Sequence, residues 1–201
     1  MTTQAAENRA EELGQVVSLN EAAKRLLSRS FEINLRSLNA IVQSKRSDGR
    51  LRGFAEASSQ IRTWSRELHG QLERLGGLGR EAVGLASLFL RQQRTVGLLG
   101  PAARSTGHPD AQRALAGAES ALASHRASLR AIWRRIADVI DDLNQLGLMA
   151  CVLSRSAMIE ATAADAEQRP QLDELTKEFY VKSEEVAGIV RALGKSARTV
   201  S

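Results

Sequence analysis

A seven-residue repeat of apolar side chains runs through most of this chain and restricts what it can fold into. In the third segment the repeat extends from Leu115 to Ala164, and a complementary set from Ala118 to Leu153 fills the alternating spacing of three and four residues. Such spacing places one apolar stripe on one face of an α-helix, and these stripes pack at shallow crossing angles of about 20°. The repeat therefore predicts long helices that pack side by side.

The second and fourth segments carry the same repeat, and the first segment carries a weaker version. The repeat runs from Phe54 to Phe89 in the second segment and from Leu172 to Leu193 in the fourth. In the first segment Asn20 and Asn34 interrupt the stripe, and an asparagine that faces a helical core commonly fixes register or partner number at a cost in stability. The stripe predicted to face the core there consists of Leu13, Val16, Leu27, Phe31, Leu38 and Ile41.

Turn-forming residues divide the chain into two helical hairpins. The pair Asp48–Gly49 suits a tight turn, the stretch GLLGPAARSTGHPD predicts a loop with Asp110 as the cap of the next helix, and Pro170 is predicted to end the third helix. The predicted helices run from about 5 to 48, 51 to 96, 110 to 167 and 171 to 198. At 1.5 Å per residue the longer helices would measure about 65–85 Å.

The predicted fold class is therefore all-α. We expect one helical-bundle domain over residues 1–201, an elongated antiparallel four-helix bundle made of two long hairpins with coiled-coil-like packing. Hairpin 1 covers about 5–96 with its tip near 48–52, a loop covers 97–109, and hairpin 2 covers about 110–198 with its turn near 166–170.

Charge and cysteine content limit the compartment and the partners. The chain has 28 Lys and Arg against 23 Asp and Glu, a net charge of +5, and acidic residues are interleaved with the arginines. This pattern favours a solvated helix surface over nucleic-acid binding. A single cysteine, Cys151, and a polar N-terminus indicate a cytoplasmic protein without a signal peptide. The longest apolar stretches are far shorter than the roughly 20 residues that cross a bilayer, so no membrane insertion is expected.

Catalytic and metal-binding patterns are not found in the sequence. No His, Cys, Asp or Glu residues show metal-ligand spacing, and no nucleophile has a base at suitable spacing, so we expect a non-enzyme without cofactor or metal. His125 lies on the apolar stripe as an expected core residue, and Cys151 is expected to be inert packing. Glu160 is expected to face the bundle near the tip, where burial would require Arg46 or another cation.

The stretch from Asn34 to Arg62, NLRSLNAIVQSKRSDGRLRGFAEASSQIR, resembles the signalling tip of bacterial methyl-accepting chemotaxis receptors. In that family the hairpin dimerises into a four-helix bundle, and its tip docks the histidine kinase and its coupling protein. The resemblance implies a diverged, shortened, non-enzymatic signalling or adaptor protein. The positions identical to the family pattern are Asn34, Leu35, Leu38, Asn39, Ala40, Arg46, Arg52, Gly53, Phe54, Ala55 and Arg62.

The resemblance also implies a contact surface. Phe31, Asn39, Arg46 and Arg62 occupy positions that contact neighbouring dimers in the receptors, and an exposed Phe with polar partners at helical spacing suits an anchor with a hydrogen-bonding rim. The implied partners are chemoreceptors, the chemotaxis coupling protein or histidine kinase, or other copies of this chain. The residues predicted to make protein contacts are Phe31, Asn39, Gln43, Arg46, Glu56, Gln60 and Arg62.

The tip also departs from the family pattern. Gln43, Gly49 and Gln60 stand where the family has glutamates, and Glu56 replaces an apolar residue. The carboxylates that would pair with Arg46 and Arg62 are thus missing, and the tip is more basic than that of the receptors.

The second hairpin echoes the first, since SAMIEATAADAE at 156–167 aligns with NAIVQSKRSDGR at 39–50. One interpretation is that a single chain supplies both hairpins that two receptor chains supply, and the other is that Ala-rich amphipathic helices resemble each other. Three other functions stay open: a purely structural bundle, a basic bundle that binds nucleic acid or another anionic surface, and a ligand site in the core around His125 and Cys151.

Overall fold

The described part of the chain forms four long helices. The structure, a computed structural model, describes residues 2–45 and 51–198, with side chains at 14, 17–45 and 51–195. The helices are α1 (Thr2–Lys45), α2 (Arg52–Thr106), α3 (Pro109–Ala161) and α4 (Arg169–Arg198). No strand occurs in these described ranges, and the predicted all-α fold is confirmed.

Each helix packs against its neighbours in sequence, and the last helix closes the bundle against the first. The contacting pairs are α1–α2, α2–α3, α3–α4 and α1–α4, whereas the diagonal pairs are not neighbours in the described part of the chain. Short connections between consecutive helices make each sequential pair antiparallel. The predicted elongated antiparallel four-helix bundle of two hairpins is confirmed.

The heptad stripes of α2, α3 and α4 form the core, as predicted. Phe54, Leu68, Ile136, Leu143 and Phe179 are completely buried. Each side chain of this size contributes about 1.5–3 kcal/mol by leaving water, so the stripes supply most of the driving force for the bundle. Other buried members of the predicted stripes are Ile61, Leu75, Ala82, Ile132, Val139, Leu146, Ala150, Ala157, Leu172, Val186 and Leu193.

The predicted core stripe of α1 is wrong. Phe31 is exposed, Leu27, Leu38 and Ile41 are half-buried, and the side chains of Leu13 and Val16 lie outside the described residues. Asn20, predicted to face the core, is exposed. The face that packs inward has the same three-and-four spacing, but alanines and serines alternate there with larger apolar residues. Its members are Leu19, Ala23, Leu26, Ser30, Ile33, Ser37, Ala40 and Ser44.

Paired serines explain why small residues occupy that face. Ser30 Oγ donates to the backbone oxygen of Ser65 at 2.9 Å, and Ser65 Oγ donates to the backbone oxygen of Ser30 at 2.7 Å. In the second hairpin the hydroxyls of Ser154 and Ser183 lie 2.8 Å apart. The hydroxyls of these four serines are therefore hydrogen-bonded, and the small side chains let the two helices of a hairpin approach closely.

The two hairpins bury equivalent positions. In the alignment that matches residues 39–50 with 156–167, every buried position among the described side chains of α1 falls on a buried position of α3. A second alignment relates α2 to α4. The matched buried pairs include Leu26 with Leu143, Ser37 with Ser154, Ala40 with Ala157, Phe54 with Phe179, Ser58 with Ser183 and Leu68 with Leu193. This correspondence supports the interpretation of hairpin 2 as a repeat of hairpin 1.

The predicted loop at 97–109 is wrong, because α2 continues through Pro101 to Thr106 and only two residues connect it to α3. Gly107 has a φ of 62°, and its N–H donates to Ala103 O at 3.2 Å, which ends α2 in left-handed geometry. His108 is the N-cap of α3, with Nδ1 accepting from the Asp110 N–H at 3.3 Å, so the cap predicted at Asp110 is also wrong. Pro109 begins α3, where a missing N–H costs nothing.

The end of α3 also differs from the prediction. The N–H groups of Thr162, Ala163 and Ala164 bond to carbonyls three residues back, and this tighter turn ends α3 at Ala161 instead of near 167. Asp165 Oδ1 then accepts from the Gln168 N–H at 3.0 Å as α4 approaches. Pro170 lies in the first turn of α4, so it begins that helix and does not end α3.

The bundle is longer on its α2–α3 side. Gly194, one turn before the end of α4, lies against Ile140 and Asn144. Residues of α3 well before Ile132 therefore extend past the end of α4. We call residues 83–130, with their connecting turn, the α2–α3 arm. Most of its side chains are exposed or half-buried.

Candidate protein-contact surface

The predicted contact residues lie near the tip end of hairpin 1, but they do not share one face. Arg46 lies outside the described residues, as do the rest of residues 46–50. Because Ser30 pairs with Ser65 in an antiparallel hairpin, Asn39 lies at the level of Glu56, and Leu35 lies at the level of Gln60. The structure thus places these residues at one end of the molecule and distributes them around it.

An exposed apolar stripe runs along the outside of α1. Phe31 is 66% exposed, and Leu35 and Val42 are also exposed. Their spacing of four and seven residues places them on one helix face, opposite the inward face that contains Ile33 and Ala40. We call Phe31, Leu35 and Val42 the α1 outer stripe. A contiguous exposed apolar strip of this kind is typical of a surface that contacts another molecule.

A second stripe occupies the equivalent positions of α3, and the sequence analysis did not identify it. Leu148, Val152 and Ile159 are all exposed and match Phe31, Leu35 and Val42 in the alignment of the two hairpins. The dense apolar content of α3 concealed them, because most of its apolar residues belong to the core repeat. Their spacing, identical to that of the α1 outer stripe, is the signal that could have found them. We call these three residues the α3 outer stripe.

The predicted polar contact residues separate into two groups. Gln60 Nε2 donates to Glu56 Oε1 at 3.3 Å on the exposed side of α2. Gln43 is half-buried and follows Arg36 by two helical turns, on the side of α1 that faces α4. Asn39 is exposed next to the α1 outer stripe. Of these residues, Asn39 is the one best placed to act together with Phe31.

Arg62 of α2 and Asn34 of α1 lie at nearly the same level of hairpin 1, because Ser65 pairs with Ser30. Both residues are half-buried, and the Arg62 Nε and Asn34 Oδ1 atoms are buried without a hydrogen-bond partner among the described residues. A buried polar atom without a partner costs about 1–3 kcal/mol.

Ion pairs join α1 to α4 just behind the α1 outer stripe. Lys182 Nζ lies 2.7 Å from Glu32 Oε2, Arg29 Nε lies 2.8 Å from Glu185 Oε2, and Arg36 pairs with Glu178. The hydrogen bond from Lys182 lowers the pKa of Glu32 below its ordinary value of 4.5; desolvation opposes this, and the charges of Lys182 and Arg29 add to it. The network positions the helix that presents Phe31.

Replacing Glu32 with Gln should lower the free energy of unfolding by about 0.5–1 kcal/mol at neutral pH, because the pair is partly exposed to solvent. Since the folded-state pKa of Glu32 is depressed, the contribution is present above pH 4.5 and is lost as the pH falls through the lower folded value. Urea denaturation of both chains from neutral pH downwards measures the difference. The more exposed pair of Glu21 with Lys24 gives a control, since Glu21→Gln should change stability less. A difference that grows towards acid would contradict this account.

Glu160 and Gly53 meet where α2 begins. A Cβ atom at position 53 would overlap the carboxylate of Glu160, so glycine leaves the space that this side chain occupies. The N-cap residue Leu51 provides no side-chain hydrogen bond to the helix. A carboxylate is favourable near the positive end of a helix dipole. The α2 N-terminus thus offers Glu160 a favourable environment, and the predicted partner Arg46 lies outside the described residues.

The predicted ligand site around His125 and Cys151 is not formed, because the two residues lie roughly 40 Å apart along the single helix α3. Cys151 Sγ donates to Glu184 Oε1 at 3.4 Å in a cleft of 450 Å³ between α3 and α4. Burial raises the pKa of this thiol above its ordinary value of 9.0, and the hydrogen bond to Glu184 raises it further. The thiol is therefore protonated and a poor nucleophile at neutral pH.

No group of three or more His, Cys, Asp or Glu residues is arranged to hold a metal ion in the described part of the chain. None of the helices, over the residues described, combines the length and apolarity required to cross a bilayer. Comparison with known proteins finds no matching family model and no matching curated protein.

Proposed function

We propose that this chain is a cytoplasmic, non-enzymatic, chemoreceptor-like signalling or adaptor protein that acts through protein–protein contacts at the tip end of hairpin 1. The observation that carries the proposal is the α1 outer stripe, which stays exposed although the four helices bury a complete core without it. The resemblance of residues 34–62 to a receptor signalling tip suggests the kind of partner: a chemoreceptor, the chemotaxis coupling protein, the histidine kinase or another copy of the chain.

The chemistry of the stripe suits a small, specific contact. Binding energy in protein interfaces concentrates in a few large side chains surrounded by polar groups that exclude water. Phe31 supplies the large apolar side chain, and Asn39 supplies an exposed amide nearby.

The α3 outer stripe gives the proposal an adaptor character. A chain with equivalent apolar stripes on both hairpins can contact two partner molecules at once. Simultaneous contacts of this kind raise overall affinity through effective concentration without any new contact at either stripe. A single chain would then present at its tip end the two contact surfaces that a pair of receptor chains presents.

Replacing Phe31 with Gln should weaken binding to the coupling protein or the kinase at least tenfold, because it removes the anchor of the contact. The matched control is Val17→Gln, which removes another exposed apolar side chain of α1 (62% exposed) several turns from the stripe. Pull-down with purified chemotaxis proteins measures both variants, and circular dichroism confirms that each remains folded.

The outcomes distinguish the proposal from its structural alternative. Loss of binding in Phe31→Gln and retention in Val17→Gln would support the contact surface. Equal binding by both variants would show that the α1 outer stripe makes no contact. Failure of the native chain to bind any chemotaxis component would instead favour a purely structural bundle.

A further inference from the structure

The net positive charge of the chain is concentrated at the end opposite the tip. Residues 84–130 contain six arginines and only two acidic residues, Asp110 and Glu119, whereas the whole chain has a net charge of only +5. The interleaving of acidic residues with arginines, noted for the sequence as a whole, does not extend to this segment. The six arginines, all exposed, are Arg91, Arg94, Arg104, Arg113, Arg126 and Arg130.

Most of these arginines lack a carboxylate partner. Arg113 pairs with Asp110, but the other five make no ion pair with any described side chain. Arg126 instead lies over the ring of Phe89, with its Cζ atom 5.7 Å from the ring centroid. From residue 82 to Thr106, α2 contains no acidic residue. This stretch is an unneutralised basic helix segment.

The same stretch of α2 exposes large apolar side chains. Leu98 is 71% exposed, and Leu88 is also exposed. Leu88, Arg91, Arg94 and Leu98 follow each other at intervals of three and four residues, so they share one face of α2. Gln92, four residues after Leu88, borders this face, and its Nε2 donates to Ala118 O of α3 at 3.1 Å. We call Leu88, Arg91, Arg94 and Leu98 the arm face; its four side chains are exposed, and Leu88 lies at its edge nearest α3.

We propose that the α2–α3 arm docks on an anionic membrane surface through the arm face. Exposed leucines flanked by arginines suit the bilayer interface, because the apolar side chains can enter the membrane boundary while the long arginine side chains extend to the headgroups. Leu88 and Leu98 would enter the boundary between headgroups and acyl chains, and Arg91 and Arg94 would bind lipid phosphates through paired N–H donors. The chain then lies on the membrane without crossing it.

Other occupants fit the arm face less well. A second copy of the arm would bring two sets of unpaired arginines together, and the repulsion between them opposes association. Nucleic acid would satisfy the arginines through its phosphates, but it offers no apolar phase for Leu88 and Leu98. An anionic lipid surface satisfies both kinds of side chain. This proposal does not depend on the function proposed for the tip, which lies at the other end of the bundle.

Vesicle co-sedimentation of the full chain tests the proposal. The native chain should sediment with vesicles of equal parts phosphatidylcholine and phosphatidylglycerol and remain in solution with phosphatidylcholine alone. The double variants Leu88→Gln/Leu98→Gln and Arg91→Gln/Arg94→Gln should each partition at least tenfold less. Thermal melts confirm that each variant is folded.

Matched controls separate the arm face from general charge and hydrophobicity. Val17→Gln/Val181→Gln removes two exposed apolar side chains elsewhere, and Arg25→Gln/Arg66→Gln removes the same charge elsewhere; both should partition like the native chain.

Four results would overturn the proposal. The first two are that the native chain does not sediment with anionic vesicles, or that the control variants lose as much vesicle binding as the arm-face variants. The third is that the chain does not bind vesicles but binds DNA, and that DNA binding persists in Leu88→Gln/Leu98→Gln; the fourth is that the native chain dimerises without lipid and Leu88→Gln/Leu98→Gln alone is monomeric.

Discussion

Replacing Trp64 with Ala should lower the free energy of unfolding by about 3–5 kcal/mol, the largest effect we expect from a single substitution. Trp64 is 2% exposed, and its Nε1 donates to the backbone oxygen of Leu146 at 2.7 Å. This bond runs from α2 to α3, so Trp64 joins the two hairpins through both packing and hydrogen bonding. Its removal leaves a large cavity between them. Urea denaturation followed by far-ultraviolet circular dichroism measures the loss.

The second tryptophan gives a matched control. Trp133 is only half-buried on α3, so Trp133→Ala should cost clearly less than Trp64→Ala. Trp64→Phe keeps most of the packing and removes the indole N–H, and should cost a smaller amount, including about 1 kcal/mol for the lost hydrogen bond. If Trp133→Ala proved the more damaging of the two alanine substitutions, Trp64 would not be the residue that joins the hairpins.

Replacing Ser65 with Leu should destabilise the chain by about 3 kcal/mol, because a large side chain cannot fit where α1 and α2 are closest. Ser65 and Ser30 exchange hydrogen bonds with each other's backbone oxygens, and both are almost completely buried. The leucine would force the two helices apart and remove those bonds. The loss appears in denaturation curves of the native and variant chains.

Two further substitutions separate overpacking from the lost hydrogen bonds. Ser65→Ala removes the hydroxyl without adding volume and should cost about 1–2 kcal/mol. Ser87→Leu adds the same volume at an exposed position of α2 and should change stability by less than about 0.5 kcal/mol. A neutral or stabilising Ser65→Leu would show that the helices of hairpin 1 are not closely packed at this level.

The buried serines of α1 explain why the fold was predictable from the sequence but the core face of α1 was not. Leu, Ile and Phe at heptad spacing identify the inward faces of α2, α3 and α4 directly. On α1 the inward face alternates residues such as Leu26 and Ile33 with serines, whereas Phe31 and Leu35 point outwards. A reading based on apolar content alone follows the larger side chains. Serine is favoured in this core because two helices approach each other closely. That approach is a property of the helix pair, so neither segment's sequence shows it alone.

Helix ends show the same limit for local signals. Gly97, Gly100 and Pro101 all suggest a break, yet α2 continues through them because the chain reverses only at Gly107. Pro170 similarly looks like a terminator but lies in the first turn of α4. Glycine and proline permit a helix end but do not require one.

The candidate contact surface stays a prediction, and its residues differ in exposure. Phe31, Asn39, Glu56 and Gln60 are exposed and Gln43 and Arg62 are half-buried, while the sequence had placed Phe31 both on the core stripe and on the contact surface. The α3 outer stripe was missed because the comparison of the two hairpins used sequence similarity, whereas the match lies in which positions are buried and which are exposed.

A binding titration of the purified native chain with the purified chemotaxis coupling protein and histidine kinase tests the central claim most directly. Isothermal titration calorimetry should give saturable binding to at least one of them, and that binding should weaken at least tenfold in Phe31→Gln. If neither protein gave measurable binding at concentrations that saturate ordinary signalling contacts, the proposed signalling role would be contradicted.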